Sequence, residues 1–312
     1  MCVLNHLLLV LLQSIMGKKY NKFMKAYINS FRLRTLPLSM SGIILGTFLS
    51  PNVIRWEVFL FAILTVLCLQ ILTNLCNELG DARRGTDTEQ SGRVAYSLQQ
   101  GLITEEGLKR CIYIFSVLAA IMGTILVWLT FGTLFCTESY VFLALGAAAI
   151  VAAITYTLGS HAYGYHGFGD VSVFLFFGLL SVIGAYYLQC RTWNWMIIAP
   201  ACTVGLLSVG VLNLNNIRDM SNDVEHGKFT LASYLGVKAA KYMQSVIVLI
   251  APLFMLVIPI YSSLLALPVM ACHVRYLWKH NGSDLDKYMP IIVFTTLLLS
   301  IFASIEWCVF VK

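Results

Sequence analysis

The 312-residue chain is 59% hydrophobic and 12% charged, with a mean hydropathy of +0.79. A soluble domain needs far more charge on its surface, so this balance excludes an ordinary globular protein and points to a chain embedded in lipid. The net charge of +6 is explained below by topology and anionic lipid, and nucleic-acid binding is not expected.

Residues 1–25 read as a peripheral N-terminal segment. The apolar stretch Val3–Leu12 is too short to span and lacks the basic flank of a secretory signal, and Met16 or Met24 is an alternative first residue. From residue 26 to 312 a single transmembrane domain is expected. Apolar runs long enough to cross a ~30 Å hydrocarbon core as helices recur at Phe31–Ser50, Glu57–Cys76, Leu108–Phe131, Tyr140–Leu158, Val171–Gln189, Trp195–Asn215, Ala240–Tyr261, Ser262–Trp278 and Tyr288–Val311. The division at Tyr261 is the weakest. The fold class is therefore all-α, a polytopic bundle of about nine transmembrane helices. Nine cysteines show no C-x-x-C pair and read as free packing thiols.

Nine spans put the termini on opposite sides, which allows a test by charge. All of the 21 Lys and Arg residues except Arg55, Arg191 and Lys312 then fall on the side of the N-terminus. Since Lys/Arg bias marks the cytoplasmic side, the N-terminus and the even-numbered loops are expected there, with the C-terminus opposite.

The remaining polar residues are concentrated in two places on that same side. After span two the chain reads Asn74-Leu-Cys-Asn77-Glu78-Leu-Gly-Asp81-Ala-Arg83-Arg84-Gly85-Thr86-Asp87, and after span six Asn213-Leu-Asn215-Asn216-Ile-Arg218-Asp219, continuing to Asp223 and Lys228. Both begin N-L-x-N, a weak internal repeat that suggests two pseudo-repeated halves around a central cavity. On helices, Asn77 and Asp81 form one stripe and Asn215, Asp219 and Asp223 another. Carboxylates this close to hydrocarbon need cations, and with Arg83, Arg84, Arg218 and Lys228 nearby the two stripes form a cradle suited to a Mg²⁺-diphosphate. A secondary transporter is the competing class. Its acids lie in broken helices near the bilayer midplane, whereas here both spans are uninterrupted and the acids sit at one face.

These motifs resemble the UbiA-type prenyltransferase superfamily from Ala26 to Val311. Asn77, Asp81 and Asp87 match its first motif, and Asp219 and Asp223 its second. Arg32-Leu-Arg34-Thr35-Leu36-Pro37, Tyr156-Thr-Leu-Gly159 leading to Tyr163-Gly-Tyr165-His-Gly167-Phe-Gly169-Asp170, and Asn215-Asn216-Ile-Arg218-Asp219 with Gly227-Lys228-Phe-Thr230-Leu231 are most similar to the 1,4-dihydroxy-2-naphthoate polyprenyltransferase branch, in menaquinone biosynthesis.

The resemblance implies a multi-pass enzyme of the bacterial cytoplasmic membrane whose substrates are a polyprenyl diphosphate and 1,4-dihydroxy-2-naphthoate. Mg²⁺ would be held by Asn77, Asp81, Asp87, Asp219 and Asp223, and the diphosphate by Arg84, Arg218, Lys228 and Asn216. Asp81, Asp219, Asp223 and Lys228 are the residues expected to carry catalysis, while Arg32, Arg34, Tyr156 and Tyr163 are candidates for the aromatic acceptor. Other acceptors, such as 4-hydroxybenzoate, share the diphosphate site and stay open. The chain departs from the family at Glu78, where Asp is usual, at residues 90–96, where Gly-Pro-x-Arg is missing, and at His161, where relatives often carry a cation.

Overall fold

The computed structural model describes residues 18–85 and 97–311. Within them the chain forms α1 (Lys18–Ser30), α2 (Leu36–Phe48), α3 (Trp56–Arg84), α4 (Glu105–Phe131), α5 (Thr137–Thr155), α6 (Gly169–Cys190), α7 (Ile198–Glu225), α8 (Leu231–Ile250), α9 (Ala266–Leu277) and α10 (Met289–Glu306). Seven helical stretches are long and apolar enough to cross a bilayer, and the shorter α2 and Ser262–Leu277 bring the apolar helices to the nine expected spans. The protein is a multi-pass membrane helix bundle.

Two local features set the helix boundaries that hydropathy placed differently. Span one begins five residues later than expected. Arg32 takes a left-handed backbone conformation (φ 49°) and residues 33–35 form a 3₁₀ turn, so the helix starts only where Pro37 fits its first turn. Span seven begins earlier, at Leu231, with Thr230 Oγ1 accepting from Ser233 N as the N-cap. Gly236, at φ 75°, then breaks the helix before it enters the apolar layer.

α3 and α7 run on past their apolar stretches. At 29 and 28 residues they extend roughly 42 Å each, more than the hydrocarbon core needs, so their last turns project both polar motifs into the headgroup region. α7 is the axis of the bundle, with 67% of its apolar window buried, against 11% for the peripheral α5. It lies against α6 so closely that a Cβ on Gly178 would sit 2.5 Å from the Gly205 Cα. α6 passes this contact through a π-helical segment, Phe174–Leu180.

Each first asparagine of the N-L-x-N repeat ties its helix to a neighbour. Asn74 Nδ2 donates to Phe31 O (2.9 Å) and Thr35 Oγ1 (3.1 Å), and Asn213 Nδ2 donates to Ala240 O (3.1 Å) and Gln244 Oε1 (2.9 Å). The largest core cluster joins α2 and α6–α10 around Leu207 and Leu214. The smaller clusters, drawn from α1–α6, leave open a cavity of 540 Å³, whose wall is drawn entirely from residues between Arg32 and Asn215. The expected cavity thus belongs to the first six spans, and the last three buttress α7 and α2 from outside.

Contacts between helix ends sort the loops as the charge pattern does. Arg34 meets Asp286, and Arg84 meets Thr157 and Gly159, at one end. Arg55 meets the Leu129 and Thr130 carbonyls at the other. There the turn between spans seven and eight is fixed by Glu306, whose carboxylate accepts from Tyr261 N (2.9 Å) and Ser262 N (2.7 Å). Glu306→Ala strands both amides beside lipid at a cost of about 1–3 kcal/mol. A lower melting temperature in detergent is expected for that variant, with Glu306→Gln intermediate. An unchanged melting temperature would contradict this role.

Candidate active site

The site is built at the end of the bundle where α3 and α7 emerge. Asp81 lies on the last turn of α3 and Asp223, 2% exposed, on the last turn of α7. Lys228 joins them. It follows α7 after a turn at Gly227, and its amide donates to Asp223 O (2.7 Å), which swings the side chain back so that Nζ lies 3.3 Å from Asp223 Oδ2. Burial alone would lower the Lys228 ammonium, but the Asp81 and Asp223 carboxylates hold it well above the ordinary lysine value. It therefore stays protonated across the physiological range and serves as a fixed positive charge.

The loop at 156–168, which follows α5, closes over this pair. Tyr165 OH donates to Asp81 Oδ1 at 2.6 Å, and its ring lies 4.0 Å from the Arg84 guanidinium and 5.6 Å from Lys228 Nζ. Arg84 is itself clamped by the Thr157 (3.0 Å) and Gly159 (2.7 Å) carbonyls. That clamp requires Gly80 on α3, since a Cβ there would lie 2.7 Å from the Thr157 carbonyl oxygen. Phe229 N donates to Tyr165 O (3.0 Å), which joins the loops after spans four and six directly.

The expected site residues divide into groups. Asp81, Asp223, Lys228 and Arg84 are brought together around Tyr165. Asn77, Tyr156, Tyr163 and Arg32 line the cavity that opens beside them. Asp219 is gripped by Arg218, with Nε to Oδ1 at 2.7 Å and Nη2 to Oδ2 at 2.6 Å. Arg218 Nη1 in turn reaches Asp286 Oδ1, and the same carboxylate takes Arg34 at 3.2 Å. Within the chain, then, Arg218 holds a carboxylate at each end, and Arg34 faces Asp286 while Arg32 faces the cavity. Asn216 is buried, and its neighbour Asn215 is the one on the cavity wall. Asp87 and residues 90–96 lie outside the described residues.

Glu78 is fully buried and its Oε1 accepts from Leu98 N (3.0 Å), so it anchors the turn at 97–100. His161 is exposed, 2.9 Å from Ser160 Oγ. Tyr163 donates to Ala152 O and meets Ser172 Oγ, so its hydroxyl is committed and its ring, edge-on to Tyr156 at 5.3 Å, forms cavity wall. Two residues escaped the sequence reading, Tyr165 and Asp286. Tyr165 stood in a noted motif but was passed over for its neighbours, and no local signal distinguishes Asp286.

Among the described residues no three His, Cys, Asp or Glu side chains come together as a self-sufficient metal site. The oxygens at the cleft still suit a hard cation that arrives with ligands of its own. Asn77 Oδ1 is buried without a hydrogen-bond partner among the described residues, one helical turn before Asp81 on α3. Mg²⁺ typically takes one or two protein carboxylates and completes its shell with water and substrate phosphate.

Comparison with known proteins gives concordant results. The 1,4-dihydroxy-2-naphthoate octaprenyltransferase of Haemophilus influenzae is 34% identical over 301 residues, covering 92% of this chain and 97% of the relative. Its Escherichia coli K12 counterpart is 44% identical over 225 residues, 70% of this chain and 71% of the relative. Among solved structures, the apo UbiA homolog from Aeropyrum pernix K1 superposes with a TM-score of 0.63 at 17% identity, covering 85% of this chain and 98% of that one. The Archaeoglobus fulgidus homolog bound to GPP and Mg²⁺ gives 0.63 at 12% identity, covering 90% and 98%. The UbiA prenyltransferase family matches at residues 39–299, which takes in both carboxylate-bearing helix ends, and with that span and these relatives the chain belongs to the UbiA prenyltransferase family.

Proposed function

We propose that this protein transfers a polyprenyl group from polyprenyl diphosphate to 1,4-dihydroxy-2-naphthoate, releasing diphosphate and CO₂ and yielding the demethylated menaquinol. The observation that carries this reading is the chain of contacts Asp81–Tyr165 and Lys228–Asp223, which places a fixed cation between carboxylates of two helices at the mouth of a mostly apolar cavity. Relatives at 34% and 44% identity that bear the octaprenyltransferase name support the acceptor. The continuous helices α3 and α7 speak against a transporter built on broken helices.

Asn77, Asp81, Asp219 and Asp223 are the residues proposed to hold Mg²⁺, with Asp87 as a further candidate, and the bound ion supplies neutralisation of the departing diphosphate. Lys228 and Arg84 present protonated donors to phosphate oxygens, and Tyr165 keeps Asp81 oriented. Arg218 and Asn216 complete the proposed polar rim. As the allylic C–O bond breaks, its electron pair leaves with the diphosphate, and the cavity excludes water from the allylic carbon. The ring carbon bearing the carboxylate attacks that carbon, and loss of CO₂ returns the electron pair of the C–CO₂ bond to the ring. Tyr156 and Tyr163 offer π faces along the wall, and Arg32, rather than the Asp286-bound Arg34, is placed to meet the acceptor carboxylate. The prenyl tail is proposed to leave sideways into lipid. The membrane is proposed to be the bacterial cytoplasmic one, with the basic end of the bundle facing the cytoplasm.

Membranes incubated with Mg²⁺, a polyprenyl diphosphate and either 1,4-dihydroxy-2-naphthoate or 4-hydroxybenzoate are expected to prenylate the naphthoate alone, and chelation by EDTA should stop turnover. Product from 4-hydroxybenzoate alone would replace the acceptor but keep the reaction class. Asp81→Ala and Asp219→Ala are each expected to lose turnover by several orders of magnitude while remaining membrane-inserted, and activity retained in both would refute the cation cradle. Tyr165→Phe removes one hydrogen bond to a charged group, worth about 1.5–3 kcal/mol. Its kcat is therefore expected to fall roughly tenfold to hundredfold.

A further inference from the structure

Arg218 is buried at the end of α7, its side chain 4% exposed, and it has carboxylates on both sides. One is Asp219, bound through two nitrogens at 2.7 and 2.6 Å. The other is Asp286, which approaches Nη1 from the 3₁₀ segment Gly282–Tyr288 preceding α10. A guanidinium is a planar fork, so fixing Nη1 fixes the plane in which Nε and Nη2 meet the second carboxylate. Asp286 is held in turn by Arg34 at 3.2 Å, from the turn before α2. The result is a relay, Arg34–Asp286–Arg218–Asp219, that ties the entrances of the first and last spans to a carboxylate of the second motif. No residue of the last span is among those lining the cavity, and this relay links that span to the second motif.

We infer that Asp286 is a positioning residue for the site, orienting the Asp219 carboxylate through Arg218 for binding of the cation-diphosphate. This rests on the reading of Asp219 as a site carboxylate given above. Asp286 itself touches no reacting group. Removing its charge leaves the buried Arg218 with Asp219 as its carboxylate partner among the described residues, able to rotate about that contact or to draw Asp219 out of alignment. Asp286→Glu keeps the charge on a longer stem and should preserve most of the function, since the relay sits at the aqueous rim where the segment can adjust. A purely structural role would lower thermal stability and leave cation affinity in the folded protein unchanged.

The test uses the full-length protein in detergent, with Mn²⁺ plus inorganic diphosphate as the probe and electron paramagnetic resonance as the readout, alongside melting temperature and the Mg²⁺ dependence of turnover. For Asp286→Asn the expectation is roughly tenfold weaker Mn²⁺ binding, the effect of about 1.4 kcal/mol, and a parallel rise in the Mg²⁺ needed for half-maximal turnover. Asp286→Glu should restore binding to within about threefold of the parent, and Asp81→Ala should abolish it. Unchanged Mn²⁺ affinity in Asp286→Asn would overturn the inference, as would a melting-temperature loss without an affinity change. Should Asp81→Ala also bind Mn²⁺-diphosphate normally, the reading of the site itself fails, and not only the part assigned to Asp286.

Discussion

The arrangement depends on one electrostatic constraint, that the carboxylates of Asp81 and Asp223 are held near each other at the edge of an apolar bundle. Two such charges repel and are costly to desolvate, and the protein offsets this with Lys228, whose ammonium lies 3.3 Å from Asp223 and is itself held protonated by both acids. Removing one partner of so buried a pair costs about 3–5 kcal/mol. Hence the chain after α7 must turn at Gly227 and double back, and the loop after α5 must cross to bring Tyr165 onto Asp81. The same crowding of charge that makes the carboxylate pair dependent on lysine suits it to a divalent cation carrying a diphosphate.

Helix length converts that constraint into placement. α3 and α7 exceed the thickness of the hydrocarbon core, so polar motifs at their ends stand in the headgroup layer while the apolar cavity lies below. Small residues bring the elements close enough for this to work. Gly178 and Gly205 seat α6 on α7, and Gly80 admits the loop that clamps Arg84. The last three spans contribute no cavity wall. They act through α7 and α2, by the Asn213–Gln244 bond inside the bundle and the contacts of Asp286 with Arg218 and Arg34 at its rim.

Much of this was legible in the sequence, because hydropathy, charge asymmetry and helical stripes are local or additive properties. The nine apolar helices, the uneven distribution of lysine and arginine, the paired N-L-x-N starts and the turn at Tyr261 all follow from such signals. What escaped were contacts between distant residues. Tyr165 meets Asp81 across 84 residues, and Asp286 meets Arg218 across 68, and nothing beside either residue announces its partner. Boundaries failed for a related reason, since the left-handed Arg32 and the 3₁₀ turn after it come from tertiary packing that hydropathy does not register. Glu78, which stands where the family usually carries Asp, proves to be fully buried and to accept from Leu98 N, another contact that no local pattern announces.

The central claim is that one cation-diphosphate is shared by carboxylates from α3 and α7. The most direct measurement is anomalous diffraction from crystals grown with Mn²⁺ and a non-reacting prenyl thiolodiphosphate. The account predicts manganese density between Asp81 and Asp223 with diphosphate oxygens completing its shell. Manganese bound by residues of only one of these helices, or away from both, would contradict it.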